Sequence, residues 1–205
     1  MSNKCIIIGA SHAAAQLAIS LRREGWEGRI QVIGDEAYPP YNRPPLSKGF
    51  LGGDKSLEEL YIRSESFYQQ KNIDFILNTR VTAINREQQI ISLDNGESLP
   101  YDKLALTVGA RVRKVNLPGK DLAGIHYLRT ASDTSNIQQE LANAKSAVIV
   151  GGGYIGLELA ASIRKKGIEV TVLEMLPRVL ARVMASEVSA FYTRVHSEEG
   201  VIIKT

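Results

Sequence analysis

The feature that most constrains this chain is a pattern that occurs twice. A short apolar run, Lys4-Cys-Ile-Ile-Ile-Gly9, ends in glycine and leads into the Ala-rich amphipathic stretch His12 to Arg23, followed by Arg29-Ile-Gln-Val-Ile-Gly34. This reads as strand, helix, parallel strand. The pattern returns at Ser146-Ala-Val-Ile-Val-Gly-Gly-Gly153, with a helix over Tyr154 to Lys166 and a strand over Ile168-Glu-Val-Thr-Val-Leu-Glu174. Matching Gly9 to Gly151 sets the copies 142 residues apart. The expected fold is α/β, with two Rossmann-like, three-layer β-α-β units.

The stretch between the copies has a different texture. Tyr38 to Pro45 holds four prolines and cannot be a helix interior. Glu65 to Gln70 reads as helical, and Phe75 to Leu106 alternates in the manner of short strands around an Asn95-Gly96 turn, so a small β-rich insertion is expected in the first domain. Turn residues at Pro118-Gly119 mark a crossing, which places the boundary near Arg113 and divides the chain into 1–113 and 114–205. A helix around Ser186 to His196 precedes an apolar run, Gly200 to Thr205, that reads as a third parallel strand. A domain of this type normally has more sheet, so the second is expected to be truncated at its C-terminal end.

Composition narrows the function classes. With 44% hydrophobic and 23% charged residues in 205, the chain has ordinary globular composition. A net charge of only +3 argues against nucleic acid as a partner. The longest apolar runs, such as Cys5 to Ile8 and Ala147 to Val150, fall far below the ~20 residues of a membrane span, and no signal segment opens the chain. A cytoplasmic protein with no membrane partner is expected. Cys5 is the one cysteine, which excludes an internal disulfide, a dithiol redox pair and a four-cysteine metal site; no metal is expected. Cys5 itself reads as a buried strand residue. Arg22, Arg23 and Glu24 read as a solvated face.

The more complete glycine motif is Gly151-Gly-Gly153-Tyr-Ile-Gly156, after a strand and at the start of a helix. The first glycine permits the tight turn, the second lets a pyrophosphate approach the backbone, and the third lets helix and strand pack closely. Phosphates would then sit at the helix N-terminus, where free N–H groups and the helix dipole favour negative charge. Glu174, 18 positions past Gly156, ends the next strand, where a carboxylate accepts both ribose hydroxyls and repels a 2′-phosphate. Met175 follows where a phosphate-binding Arg could stand, so NADH is expected over NADPH, with Arg178 and Arg182 keeping the other coenzyme open. The first motif is altered: Ser11 and Ala14 take the second and third glycine positions after Gly9, and Asp35 and Glu36 end the next strand, where either could hold a ribose.

Tyr41-Asn-Arg-Pro-Pro-Leu-Ser-Lys48, Leu99-Pro-Tyr-Asp102, Gly109-Ala-Arg111, Tyr127-Leu-Arg-Thr130 and Pro177-Arg178, together with the two glycine motifs, carry a resemblance along essentially the whole chain. The chain resembles the FAD-containing, NADH-using ferredoxin reductases of bacterial cytochrome P450 and aromatic-ring dioxygenase systems, the putidaredoxin reductase type, within the pyridine nucleotide-disulfide oxidoreductase-like superfamily. The resemblance implies an FAD-binding first domain, in which Gly9, Ser11, Ala14, Asp35 or Glu36, Arg43, Val81, Gly109 and Arg129 lie along the flavin nucleotide, and an NAD-binding second domain. It places Lys48 beside the isoalloxazine, where a cation stabilises the reduced ring, and pairs Glu158 with that lysine. Gly151, Gly153, Ile155, Gly156, Glu174 and Arg182 would hold NADH. The implied reaction is hydride transfer from NADH to the flavin, then single electrons to a small iron–sulfur protein of ferredoxin or rubredoxin type.

The chain departs from the family at Thr107-Val108-Gly109, where Ala-Thr-Gly is usual, and at Ser11. The family also continues well past this length. Two other readings therefore stand beside the reductase: a truncated, non-catalytic dinucleotide-binding module, and another NADH flavoenzyme such as a rubredoxin or nitrite reductase.

Overall fold

The computed structural model describes residues 3–205. In chain order its elements are β1 (Lys4–Ile8), α1 (His12–Arg23), β2 (Arg29–Ile33), the short α2 (Gly49–Gly52), α3 (Glu65–Gln70), β3 (Ile73–Ile76), β4 (Val81–Asn85), β5 (Ile90–Leu93), β6 (Ser98–Pro100) and β7 (Lys103–Leu106). There follow α4 (Ala131–Leu141), β8 (Ser146–Val150), α5 (Tyr154–Arg164), β9 (Glu169–Leu173), α6 (Ser186–Glu198) and β10 (Val201–Lys204). Both expected β-α-β units are present within two residues of their expected bounds. The chain forms two compact units: one runs through Asn42 and resumes over Glu58–Arg111, and the other joins Arg43–Leu57 to Val112–Thr205.

In the first unit a parallel sheet runs in the order β3-β2-β1-β7. Side chains alternate along a strand, so Cys5, Ile7, Ile30 and Val32 face Ala14, Ala15 and Ala18 of α1 and Tyr68 of α3. Ile6, Ile8 and Ile33 point the other way and pack with Ile91 and Leu93 of an antiparallel sheet, β4-β5-β6. Apolar burial on both faces is why β1 reads as a continuous hydrophobic run. The expected β-rich insertion is this small sheet, with Gly96 at φ +88 in its turn. The two ends of the Phe75–Leu106 stretch instead join the parallel sheet, as β3 and β7.

The second unit repeats the arrangement with a parallel sheet in the order β10-β9-β8. Ile149, Val170, Val172 and Val201 pack with Ala160 and Ile163 of α5 and Ile137 of α4. Leu51 belongs to the same core. The segment Arg43–Leu57, grouped by sequence position with the first domain, thus lies in the second unit. Its backbone is held there by Gln138 Nε2 on Phe50 O at 2.6 Å and Lys166 Nζ on Gly52 O at 2.9 Å. On the other face of this sheet Val148, Val150 and Ile202 are 64%, 65% and 55% exposed.

One expectation fails. Arg22 is not part of a solvated face: its guanidinium donates to the carbonyls of Lys71, Trp26, Gly28 and Asn72 at 2.6–2.8 Å. These carbonyls end the turns that precede β2 and β3, where no helix or ladder partner is available. Arg164 does the same in the second unit, reaching Glu199 O at 2.9 Å and Ile168 O at 3.5 Å. Arg23 and Glu24 are exposed, as expected. Cys5 is buried in β1, and burial pushes its thiol pKa up. No helix among the described residues is long and apolar enough to cross a membrane.

Candidate functional site

Backbone hydrogen bonds put the two glycine loops in structural register. Gly9 N–H donates to Ile33 O and Gly151 N–H to Leu173 O, both at 2.8 Å. One residue on, Gly34 N–H reaches Ile76 O at 3.0 Å and Glu174 N–H reaches Lys204 O at 2.8 Å. Gly9 therefore corresponds to Gly151, Ser11 to Gly153, Ala14 to Gly156, and Gly34 to Glu174. The first glycines share one turn, at φ +103 and +115, which side chains of L-residues rarely permit.

The other two glycines of the second loop have different reasons. A Cβ on Gly156 would stand 1.9 Å from Gly151 O, so the close approach of helix and loop demands glycine there. A Cβ on Gly153 would meet nothing within 4 Å. No contact among the described residues requires glycine at 153, and an open surface at that point suits a group pressed against the backbone from outside. In the first loop Ala14 is fully buried against the sheet and Ser11 opens α1 in extended backbone.

The acid at the end of β9 is held in place before any ligand arrives. Glu174 accepts Gly152 N–H on Oε2 at 2.8 Å and Leu176 N–H on Oε1 at 2.9 Å. Gly152 makes the room, since its Cβ would lie 2.9 Å from Val179 Cγ1 and 3.2 Å from Glu174 Cβ. The first unit reverses the pair: Ala10 carries the side chain, and a Cβ on Gly34 would lie 2.5 Å from it. Its acids come one and two positions later. Asp35 is exposed and paired with Arg80 at 2.6 Å, while Glu36 accepts the hydroxyl of Tyr41.

Apart from the four-residue α2, helix starts separate the same way. Ser64 caps α3, and Thr130 with Asp133 forms a reciprocal capping box on α4. Helices α3, α4 and α6 carry Glu65, Asp133 and Glu187 in their first turns. Helices α1 and α5, which follow the glycine turns, have neither a side-chain cap nor an acid in the first turn. Their leading N–H groups and positive dipole ends are left for an anion. On these grounds the residues present fit a dinucleotide at each loop.

Lys48 and Glu158 meet within the second unit, Nζ to Oε2 at 2.7 Å. Partial burial pushes the Glu158 carboxyl up, but hydrogen bonds from Lys48 and Ser47 and the Lys48 charge outweigh it and hold the pKa below the usual carboxylate value. Arg43 donates to Arg129 O at 2.7 Å. Ile155 and Arg182 are exposed, Gly109 follows β7 at φ +65, and Val81 packs beside the Ile91 and Leu93 cluster.

Three features escaped the sequence reading. The single hydroxyl proton of Thr107 is shared between Ile8 O at 3.0 Å and Gly9 O at 2.8 Å, so one of the residues that depart from the family pattern clamps the first glycine turn. Leu180 adopts φ +55 and sends its N–H to Gly152 O at 2.8 Å, which folds the loop after β9 against the second glycine turn. Arg178 is committed to Met184 O and the Ser189 hydroxyl, which leaves Arg182 as the exposed arginine of that loop.

Two parallel sheets, each with a glycine turn opening an uncapped helix, define a protein built to handle dinucleotides. The chain belongs to the pyridine nucleotide-disulphide oxidoreductase family, whose model matches residues 3–205. It is 41% identical to putidaredoxin reductase of Pseudomonas putida over 207 aligned residues, covering 100% of this chain and 49% of that protein. Among solved structures it is similar to the ferredoxin reductase of the CYP199A2 system from Rhodopseudomonas palustris, with 39% identity, a TM-score of 0.94, and coverage of 99% of this chain and 50% of that one. The covalent putidaredoxin reductase–putidaredoxin complex matches at 42% identity with a TM-score of 0.90, covering 99% and 49%. The chain spans about half the length of these relatives.

Proposed function

We propose that this chain is the dinucleotide-binding part of a cytoplasmic, NADH- and FAD-dependent reductase that delivers electrons to a small iron–sulfur protein of ferredoxin or rubredoxin type. The observation that carries the reading is Glu174, fixed by two backbone N–H groups beside a glycine loop whose middle position is open to a ligand. The electron acceptor is inferred from the relatives: one is named for putidaredoxin, and a structure holds the two joined.

In this reading Gly151, Gly153, Ile155 and Gly156 receive the NADH pyrophosphate and neighbouring groups, Glu174 accepts the ribose hydroxyls, and Arg182 contacts the coenzyme from the loop after β9. Gly9, Ser11, Ala14, Val81, Gly109 and Asp35 or Glu36 hold FAD, with Arg43, Lys48 and Arg129 as further flavin contacts on the family resemblance. FAD, when bound, accepts a hydride and releases its electrons singly. The protein's own contribution is orientation and fixed charge. The Lys48 ammonium, held by Glu158, is the cation available to a ring that gains electron density.

NADH-driven reduction of a ferredoxin or rubredoxin, with FAD supplied, tests this in the chain itself and in the longest reading frame that contains it. The rate with NADH is expected to exceed that with NADPH at least about tenfold, the ratio worth ~1.4 kcal/mol. Equal rates would remove the role given to Glu174, and flavin reduction with no transfer to any iron–sulfur protein would favour another NADH flavoenzyme.

A further inference from the structure

Glu158 and Ser162 lie four residues apart and so share one face of α5. The turn Pro44–Ser47 is hydrogen-bonded to that face at both points. Ser47, only 4% exposed, donates its hydroxyl to Glu158 Oε2 at 2.6 Å, and its carbonyl accepts the hydroxyl of Ser162 at 2.7 Å. The same Glu158 oxygen takes Lys48 Nζ at 2.7 Å, and Nζ also reaches Pro44 O at 3.2 Å. One carboxylate oxygen thus receives two donors from adjacent residues, while the backbone between them is pinned to the helix.

An ion pair as exposed as this one, with 47% of the lysine and 32% of the glutamate side chain accessible, does not hold a single geometry by its own attraction. Ser47 supplies what the pair lacks. Its buried hydroxyl has a strong reason to stay bonded, because an unsatisfied buried donor is costly. That preference fixes the Glu158 rotamer and points Oε2 at the lysine.

We infer that Ser47 is a positioning residue: seated between Glu158 and Ser162, it selects the carboxylate orientation that holds the Lys48 ammonium and thereby sets where that ammonium stands. The use of the ammonium in electron transfer rests on the function proposed above. The lock does not, and its test needs no coenzyme.

The test is an NMR titration of the Glu158 side-chain carboxyl in the 205-residue chain, with thermal unfolding measured in parallel. Lys48 is the charged group acting on this carboxylate. In Ser47→Ala the carboxyl loses one of two hydrogen bonds to its charged form, so its midpoint is expected to rise toward the ordinary ~4.3. Ser162→Ala keeps the Ser47 hydroxyl but frees the turn, and a smaller rise is expected. The folded carboxyl is depressed, so the stability it confers is full above the ordinary value and fades as pH falls through the folded one. The Tm advantage of the native protein over Ser47→Ala should therefore narrow in acid. An unchanged Glu158 midpoint in Ser47→Ala would overturn the inference even if Tm falls, because it would show a packing role alone. Should Ser47→Ala fail to fold, an unchanged midpoint in Ser162→Ala overturns it. Loss of coenzyme discrimination elsewhere would leave these titrations unaffected, so the two accounts fail separately.

Discussion

The two β-α-β units correspond residue for residue at their glycine turns through the same backbone hydrogen bonds, yet they differ in the side chains set beside those turns. Both place a first glycine at strongly positive φ and an uncapped helix behind it. Both use an arginine in the last turn of that helix to tie down the turns before the second and third strands. The contrast lies at one pair of facing positions. The second unit sets Gly152 against Glu174, and the first sets Ala10 against Gly34. A second side chain would collide at 2.5 Å in the first pair and crowd the first side chain at 3.2 Å in the second, and it is the second unit that holds a carboxylate directly beside its glycine loop. The first must recruit its acid from Asp35 or Glu36, further along the chain. What separates the units is therefore which member of a small pair lacks a side chain.

The same contrast extends to the sheets. Parallel strands are normally covered on both faces. The first sheet meets this with α1 and α3 on one side and the antiparallel β4-β5-β6 on the other. The second is covered on the α5 side, and on its other face Val148, Val150 and Ile202 are exposed.

The largest expected effect that could break the comparison is at the third glycine position. Gly156→Ala should cost about 3 kcal/mol or more of stability in chemical denaturation, because its Cβ collides with backbone rather than with a movable side chain. Gly153→Ala should cost no more than about 1 kcal/mol, the ordinary penalty at a helix cap, yet weaken NADH binding at least about tenfold. If both variants lose stability equally, position 153 is structural and the case for a ligand there is lost.

A smaller effect sharpens the repeat. Arg22→Ala removes four carbonyl contacts and should cost about 2–3 kcal/mol in urea unfolding; Arg164→Ala, with two, should cost about 1. The reverse order would show that the shared position does not mean a shared role.

Much of this was legible in the sequence because the signals are local. An apolar run ending in glycine, a helix of matching length and a second run identify β1-α1-β2 and β8-α5-β9 without reference to the rest of the chain. What was not legible depends on distance. Arg22 looks like a surface charge until Lys71 and Asn72, about 50 residues away, bring their carbonyls to it. The Pro-rich segment announces a turn, but nothing in its composition says that Leu51 packs with Ile149 and Ala160. Helix α4 buries only Ala131, Thr134 and Ile137, too few apolar positions for a clear periodicity; its signal was the Thr130–Asp133 capping box, which begins at the last residue of a string already read for other reasons. The resemblance names Arg182 as a coenzyme contact, but the sequence does not show that Arg178, which it leaves open beside it, is engaged by the Ser189 hydroxyl and Met184 carbonyl.

The most direct test is calorimetric titration of the 205-residue chain with NADH and with NADPH, repeated on Glu174→Ala. The account predicts that the native chain binds NADH at least about tenfold more tightly, ~1.4 kcal/mol, and that Glu174→Ala abolishes the difference. Equal affinities in the native chain, or a preference that survives the substitution, would contradict it.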